Sequence, residues 1–311
     1  MVVLKQRMII AAALICGAQL AAVDAKDAAP TPVIVAQLDG EPVYQNELDR
    51  EIALAAPRLK MEGPLPAAVR EKVLAQVIDR RLVLRYLVRD KWAVSNADID
   101  LVVARQVKQL KQQEIAWAEH LKKQGLSEKQ YRAELAWKLS WPKFLDQRLT
   151  DENLQKYFDQ HRREFDGSEL RVSHLLLKVP AGDAAALEMA QKQALEIRQQ
   201  ITTGKLSFAD AAGKYSQSPT AKESGDIGWI QRHEPMPESF SQAAFALEKG
   251  AVSEPVVTAF GVHLIQAVEL KPGKKFWQDC REELQTAVTL YLFRWIADKE
   301  RLTAKIEPPP K

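Results

Sequence analysis

The hydrophobic period of this chain changes at Glu169, and that change governs what it can fold into. Upstream, apolar residues recur every three or four positions, the spacing that lines one face of a helix. From Ala67 to Lys91 the series is Val73, Val77, Leu84 and Val88, widened by Leu74, Ile78 and Leu82. Downstream, Leu170 to Val179 reads as an apolar strand, and Val252–Thr258 and Gly261–Glu269 as two more. At 311 residues the chain exceeds what a single core usually fills, so about two units are expected. We place a helical unit at 33–168 and a mixed unit at 169–271.

Within the helical unit, Val33–Leu38 reads as a short strand ending at the Asp39-Gly40 turn, and Tyr44–Ala55 as a helix. Ser95 followed by Asp98, and Ser127 followed by Gln130, have the form of helix caps. They predict one helix running through Leu121 and stopped by Gly125, and a second carrying Trp137 and Trp141 before Pro142. A further helix is expected over Asp151–Phe165. No titratable cluster suited to catalysis falls in this half, and its tryptophans are read singly as core, where large aromatics contribute most.

In the mixed unit the order is strand 170–179, helices 184–203 and 208–215, strand 227–230, helix 238–247, then the two closing strands. A final helix, Phe276–Lys305, bears Phe276, Trp277, Leu284, Val288, Tyr291, Leu292, Trp295 and Ile296. A stripe this wide requires a partner.

Lys5 and Arg7 precede an apolar run, Met8–Ala22, that closes on Val23-Asp24-Ala25, small residues of the kind a signal peptidase reads. The run is short for a membrane span, so residues 1–25 are read as a cleaved signal peptide and 26–32 as a linker; an uncleaved anchor is the alternative. Cleavage near Ala25 would leave Cys280 as the sole cysteine, with no stable membrane anchor, in a periplasmic or secreted protein. A net charge of +3 supplies no broad basic field for nucleic acid. Metalloprotease histidine spacing, nucleophile elbows and phosphate-cradling glycine loops are all missing from the sequence.

Five short stretches carry a resemblance. Val172-Ser-His-Leu-Leu-Leu177, Tyr215-Ser-Gln-Ser-Pro-Thr-Ala-Lys222, Gly225-Asp-Ile-Gly-Trp229, Met236-Pro-Glu-Ser-Phe240 and Thr258-Ala-Phe-Gly-Val-His-Leu-Ile265 follow in order. Together they resemble the parvulin-type peptidyl-prolyl isomerases. Leu38-Asp-Gly-Glu-Pro-Val43, followed by Asn46-Glu-Leu48, resembles the entry to the N-terminal domain of SurA-like periplasmic chaperones.

The resemblance implies an α+β protein: an all-α chaperone-like domain, a parvulin domain with a four-stranded antiparallel sheet flanked by helices, and a C-terminal helix (274–306) that returns to the N-terminal domain. It further implies an isomerase of Xaa-Pro bonds that needs neither cofactor nor metal and whose partners are unfolded exported polypeptides. His174, Ser218, Thr258 and His263 correspond to the family's catalytic network. Ile227, Met236, Phe240 and Phe260 correspond to its proline cup, and His233 is a loop residue. Ser218 stands where family members carry cysteine or aspartate, and a hydroxyl supplies no negative charge. Weak activity is therefore expected, and a holdase chaperone with a nearly inactive parvulin domain is the alternative. The arginine cluster of phosphate-directed members does not follow Lys178.

Overall fold

In the computed structural model, residues 33–59 and 66–310 are described; the expected signal peptide, its cleavage point and the expected linker lie outside them. The chain enters through strand β1 (Ile34–Leu38) and turns at Asp39-Gly40, both with positive φ (51° and 80°), into β2 (Glu41–Tyr44). Two left-handed residues give the twist that a tight hairpin requires. A third strand, β7 (Ile306–Glu307), pairs with the other edge of β1. The helical unit is thus not purely α: a small sheet of order β2-β1-β7 seals one end.

Helices α1 (Gln45–Leu59), α2 (Ala67–Arg89), α3 (Asn96–Gln112), α4 (Trp117–Gln124) and α5 (Glu128–Asp146) follow. Both capping boxes form: the Ser95 and Ser127 side chains accept from the Asp98 and Gln130 amides, and those side chains accept from the serine amides in return. The helix expected to run through Leu121 is instead two. Glu114 takes φ 58°, and the Ile115 amide donates to the Leu110 carbonyl at 3.0 Å, so α3 ends in a Schellman turn built on glutamate rather than glycine. The segment expected as one helix over Asp151–Phe165 is likewise α6 (Asp151–Gln160) and a single turn, α7 (Arg162–Phe165), divided at His161.

The mixed unit holds β3 (Glu169–Lys178), α8 (Ala184–Thr202), α9 (Phe208–Tyr215), a 3-10 turn (Pro219–Glu223), β4 (Asp226–Gln231), α10 (Glu238–Phe245), β5 (Val256–Thr258) and β6 (Gly261–Lys271). The strands form one antiparallel sheet of order β4-β3-β6-β5. β5 is shorter than the strand expected over Val252–Thr258. Pro255 has no amide to give the ladder, and Val252 keeps only an isolated bridge to Gln266. Alternation along β3 and β6 sends Leu175, Leu177, Val262 and Leu264 toward α8 and α9. It sends Val172, Ile265 and Ala267 toward α10.

The last helix, α11 (Arg281–Arg301), is shorter at both ends than expected: Phe276–Cys280 is a turn held by the Phe276 amide on Asp279, and Phe276 is exposed. The helix returns to the N-terminal unit. Its first half buries Leu284 and Val288 against Leu154, Phe158 and Phe165. Its second half buries Ile296 and Ala297 against Val83, Tyr86, Leu87 and Phe144, with Trp137 and Trp141 packed alongside. Near its end the buried Glu300 carboxylate receives Arg85 Nε at 2.9 Å and Arg89 Nη1 at 2.7 Å, tying α11 to α2. Two arginines are what a carboxylate this deep requires.

Candidate isomerase site

His174 on β3 and His263 on β6 fall on the α10 face because each lies an even number of residues from Val172 and from Ile265, which pack there. The register pairs His174 with Ile265 and Leu176 with His263, so the two imidazoles are diagonal neighbours. Their rings stack at 27° with centroids 5.4 Å apart, and the two Nδ1 atoms approach to 3.3 Å. His174 Nε2 meets Ser218 Oγ at 2.9 Å, and His263 Nε2 meets Thr258 Oγ1 at 2.8 Å.

The chain of hydrogen bonds extends further in both directions. Ser218 Oγ also meets Thr220 Oγ1 at 3.0 Å, and the Phe260 amide donates to Thr258 Oγ1 at 3.0 Å. With both rings neutral, one proton lies between the facing Nδ1 atoms, so the donors along the chain point in a single direction at a time. Protonating both rings would set two N–H groups against each other. Burial acts in the same sense: it lowers the His174 pKa, and burial followed by the neighbouring imidazole brings His263 down to about 4. At neutral pH the pair is uncharged.

Beside the histidines, the Phe240 ring of α10 stands at 71° to His174 and 87° to His263, with centroids 5.8 and 5.4 Å away. Phe240 is completely buried, whereas Met236 and Ile227, packed on the same cluster, are only partly buried. The accessible apolar wall is therefore Met236 and Ile227, with Phe240 as its backing. Phe260 lies exposed in the turn between β5 and β6, and His233 in the exposed loop before α10.

The loop that carries Ser218 is fixed to β3 by groups that sequence reasoning passed over. The Leu176 amide donates to Ser216 Oγ at 3.1 Å, and the Gln217 amide to the Leu176 carbonyl at 2.8 Å. Ser218 caps the 3-10 turn, with Pro219 as its first residue and the Thr220 amide on the serine oxygen. A Ser-Pro-Thr run is a helix-start signal, and it could have pointed to Thr220. On the other side of His174, the histidine amide donates to the Gly225 carbonyl at 2.8 Å. Gly225 has φ 76°, and a Cβ there would lie 2.3 Å from the His174 carbonyl oxygen, so only glycine lets β4 approach so closely. Asp226 is anchored by Arg171 Nη2 at 2.6 Å, which holds its carboxyl below the usual range.

The groups of this arrangement, two imidazoles and the hydroxyls of Ser218 and Thr258, are all uncharged at neutral pH. Among the described residues no group of three or more His, Cys, Asp or Glu is placed to hold a metal ion. The arrangement offers a neutral polar floor beside an apolar wall.

Sheet topology, element order and the paired histidines define a parvulin-type domain. The family described as PPIC-type PPIase domain matches residues 174–269, and the SurA-like N-terminal domain matches residues 4–145. The chain carries both. A chaperone SurA from Alkalilimnicola ehrlichii is 26% identical over 250 residues, covering 76% of this chain and 56% of the relative. The foldase protein PrsA of Bacillus subtilis is 32% identical over 141 residues, covering 45% of this chain and 41% of that protein. A crystal structure of the peptidylprolyl isomerase PrsA from Bacillus anthracis aligns at 22% identity and a TM-score of 0.33, covering 73% of this chain and 94% of that one. The chain spans little more than half the length of the SurA relative.

Proposed function

We propose that the protein is a peptidyl-prolyl cis-trans isomerase that assists the folding of exported polypeptides, in the periplasm or outside the cell. The observation that carries the reading is the neutral His174–His263 pair held between Ser218 and Thr258 and beside Phe240, on whose apolar cluster Met236 and Ile227 pack. Rotation about an Xaa-Pro amide meets a barrier of roughly 18–20 kcal/mol because the planar bond is conjugated. Twisting removes the conjugation and with it much of the amide's polarity. An apolar wall that takes the proline ring and displaces water from the amide favours the twisted form over the planar one. Only such differential interactions accelerate the step. Ile227, Met236 and Phe240 supply the wall, Phe260 its outer rim, and His174, His263, Ser218 and Thr258 the uncharged floor.

The supporting frame is a helical unit of residues 33–168 completed by 274–306, with 169–271 as the isomerase module. A second reading, a holdase for unfolded chains, is favoured by a separate cleft of about 360 Å³ lined by Tyr86, Phe144, Tyr157, Tyr291, Trp295 and Arg148. Tyr291 and Trp295 are about half exposed there, which suits transient contact with apolar segments. Among the described residues no helix is long and apolar enough to cross a membrane.

A protease-coupled assay on an Xaa-Pro peptide, run beside an aggregation assay on an unfolded client, separates the readings. We expect both a rate gain over the uncatalysed reaction and suppressed aggregation. Suppressed aggregation without a rate gain would leave only the holdase.

A further inference from the structure

The isomerase wall is held from the helical unit through one buried arginine. Arg232 lies in the segment between β4 and α10, its side chain 9% exposed. Nη1 and Nη2 donate to the two oxygens of Glu238 at 2.9 and 2.7 Å, and Nε donates to Glu164 Oε2 at 3.2 Å. Glu238 is the first residue of α10, and the preceding Pro237 provides no side-chain cap. The start of the helix that carries Phe240 is therefore tethered from outside. Glu164 belongs to α7, and its other oxygen meets His161 Nδ1 at 3.0 Å; the His161 ring in turn stacks on Tyr157 at 4.2 Å. Next to Glu164, Arg163 donates to the Leu247 carbonyl at 3.2 Å and to Glu248 at 3.0 Å, just beyond the far end of α10.

Helix α10 is thus gripped at both ends by α7, a single turn that precedes the isomerase module in the chain. We propose that Arg232 is a positioning residue of the isomerase site: by joining Glu238 to Glu164 it sets Phe240 and Met236 against the two histidines. This rests on the isomerase reading above. Arg232 forms no contact with His174 or His263 among the interactions of the described residues, so it acts through α10. A guanidinium is suited to the task because its planar fork serves one carboxylate with two donors and keeps a third for the next. A lysine ammonium has no such fork.

The test uses the full chain and the variants Arg232→Gln, Arg232→Lys, Glu238→Gln and Glu164→Gln. Two readouts are taken: kcat and KM on an Xaa-Pro peptide, and the methyl resonance of Met236 in protein labelled at methionine methyls. Arg232→Gln should lower kcat/KM about tenfold, since displacements near 1 Å cost that much or more, chiefly through KM. Arg232→Lys should recover part of the loss. The Met236 methyl should move in Arg232→Gln, and also in Glu164→Gln, whose site lies in the other unit. Arg232→Gln within twofold of wild type, with an unmoved Met236 methyl, would overturn the proposal. A moved methyl in Arg232→Gln but not in Glu164→Gln would overturn the link to the helical unit. If the wild-type chain accelerates nothing, the isomerase reading fails, and the methyl shift still decides whether Arg232 sets the wall.

Discussion

The chemistry proposed for this protein depends on two imidazoles that burial keeps uncharged. Their pKa values lie below the ordinary 6.5, His263 at about 4 with burial as the main cause. Such a shift has a defined consequence for stability. Above the unfolded value both the folded and the unfolded chain hold these rings neutral, so they add no pH dependence. As pH falls below about 6.5 the unfolded chain takes up protons that the folded rings refuse, and stability is lost progressively until His263 itself protonates near 4. The loss attributable to His263 is on the order of 3 kcal/mol. We expect the urea midpoint of the isomerase module to fall between pH 6.5 and 4, and kcat/KM to hold until the folded rings themselves take up protons, near 4 for His263. A midpoint that rose on acidification would mean that the pair is charged in the fold.

Single elements show where physical pattern sufficed and where it did not. The stripe of α11 required a partner, but that the partner is the N-terminal unit was implied by the resemblance to SurA-like proteins; Leu284, Val288 and Ile296 are buried there. The helix break after Gln112 left no such trace: Gln113-Glu-Ile-Ala116 contains neither glycine nor proline, and the left-handed turn falls on a glutamate. Strand β7 is two residues long and is a strand only because β1 offers it an edge, through Gln37 and Leu38. Helix α11 also provides a direct energetic check. Ile296 is fully buried among α2 and α5 side chains. Replacing it with alanine should cost the helical unit about 2–5 kcal/mol, read as an earlier denaturation transition by tryptophan fluorescence. Isomerase activity should stay near wild type, and an equal loss in the isomerase module would show that the two units melt as one.

For the whole molecule, the change of period at Glu169 is the local signal for two units, whereas the candidate site was read mainly through resemblance. His174 and His263 are 89 residues apart, and alternation alone places each on one face of a strand without stating that the strands are neighbours. Arg232 was not legible at all, since its partners lie 68 residues before it and 6 after it and nothing local requires the three to meet. Phe240 and Met236, read together as cup residues, occupy unlike places: the first is inaccessible backing, the second accessible wall. Truncating Phe240 would therefore cost about 3–5 kcal/mol of packing and confound any kinetic reading. Met236 is the better probe. The most direct test of the central claim is exchange NMR on a labelled Xaa-Pro peptide with the full chain and with Met236→Ala. The account predicts faster cis-trans exchange at unchanged cis and trans populations, and a rate reduced about tenfold or more in the folded variant. Exchange at the uncatalysed rate, tens of seconds or slower, or a variant as fast as wild type, would contradict it.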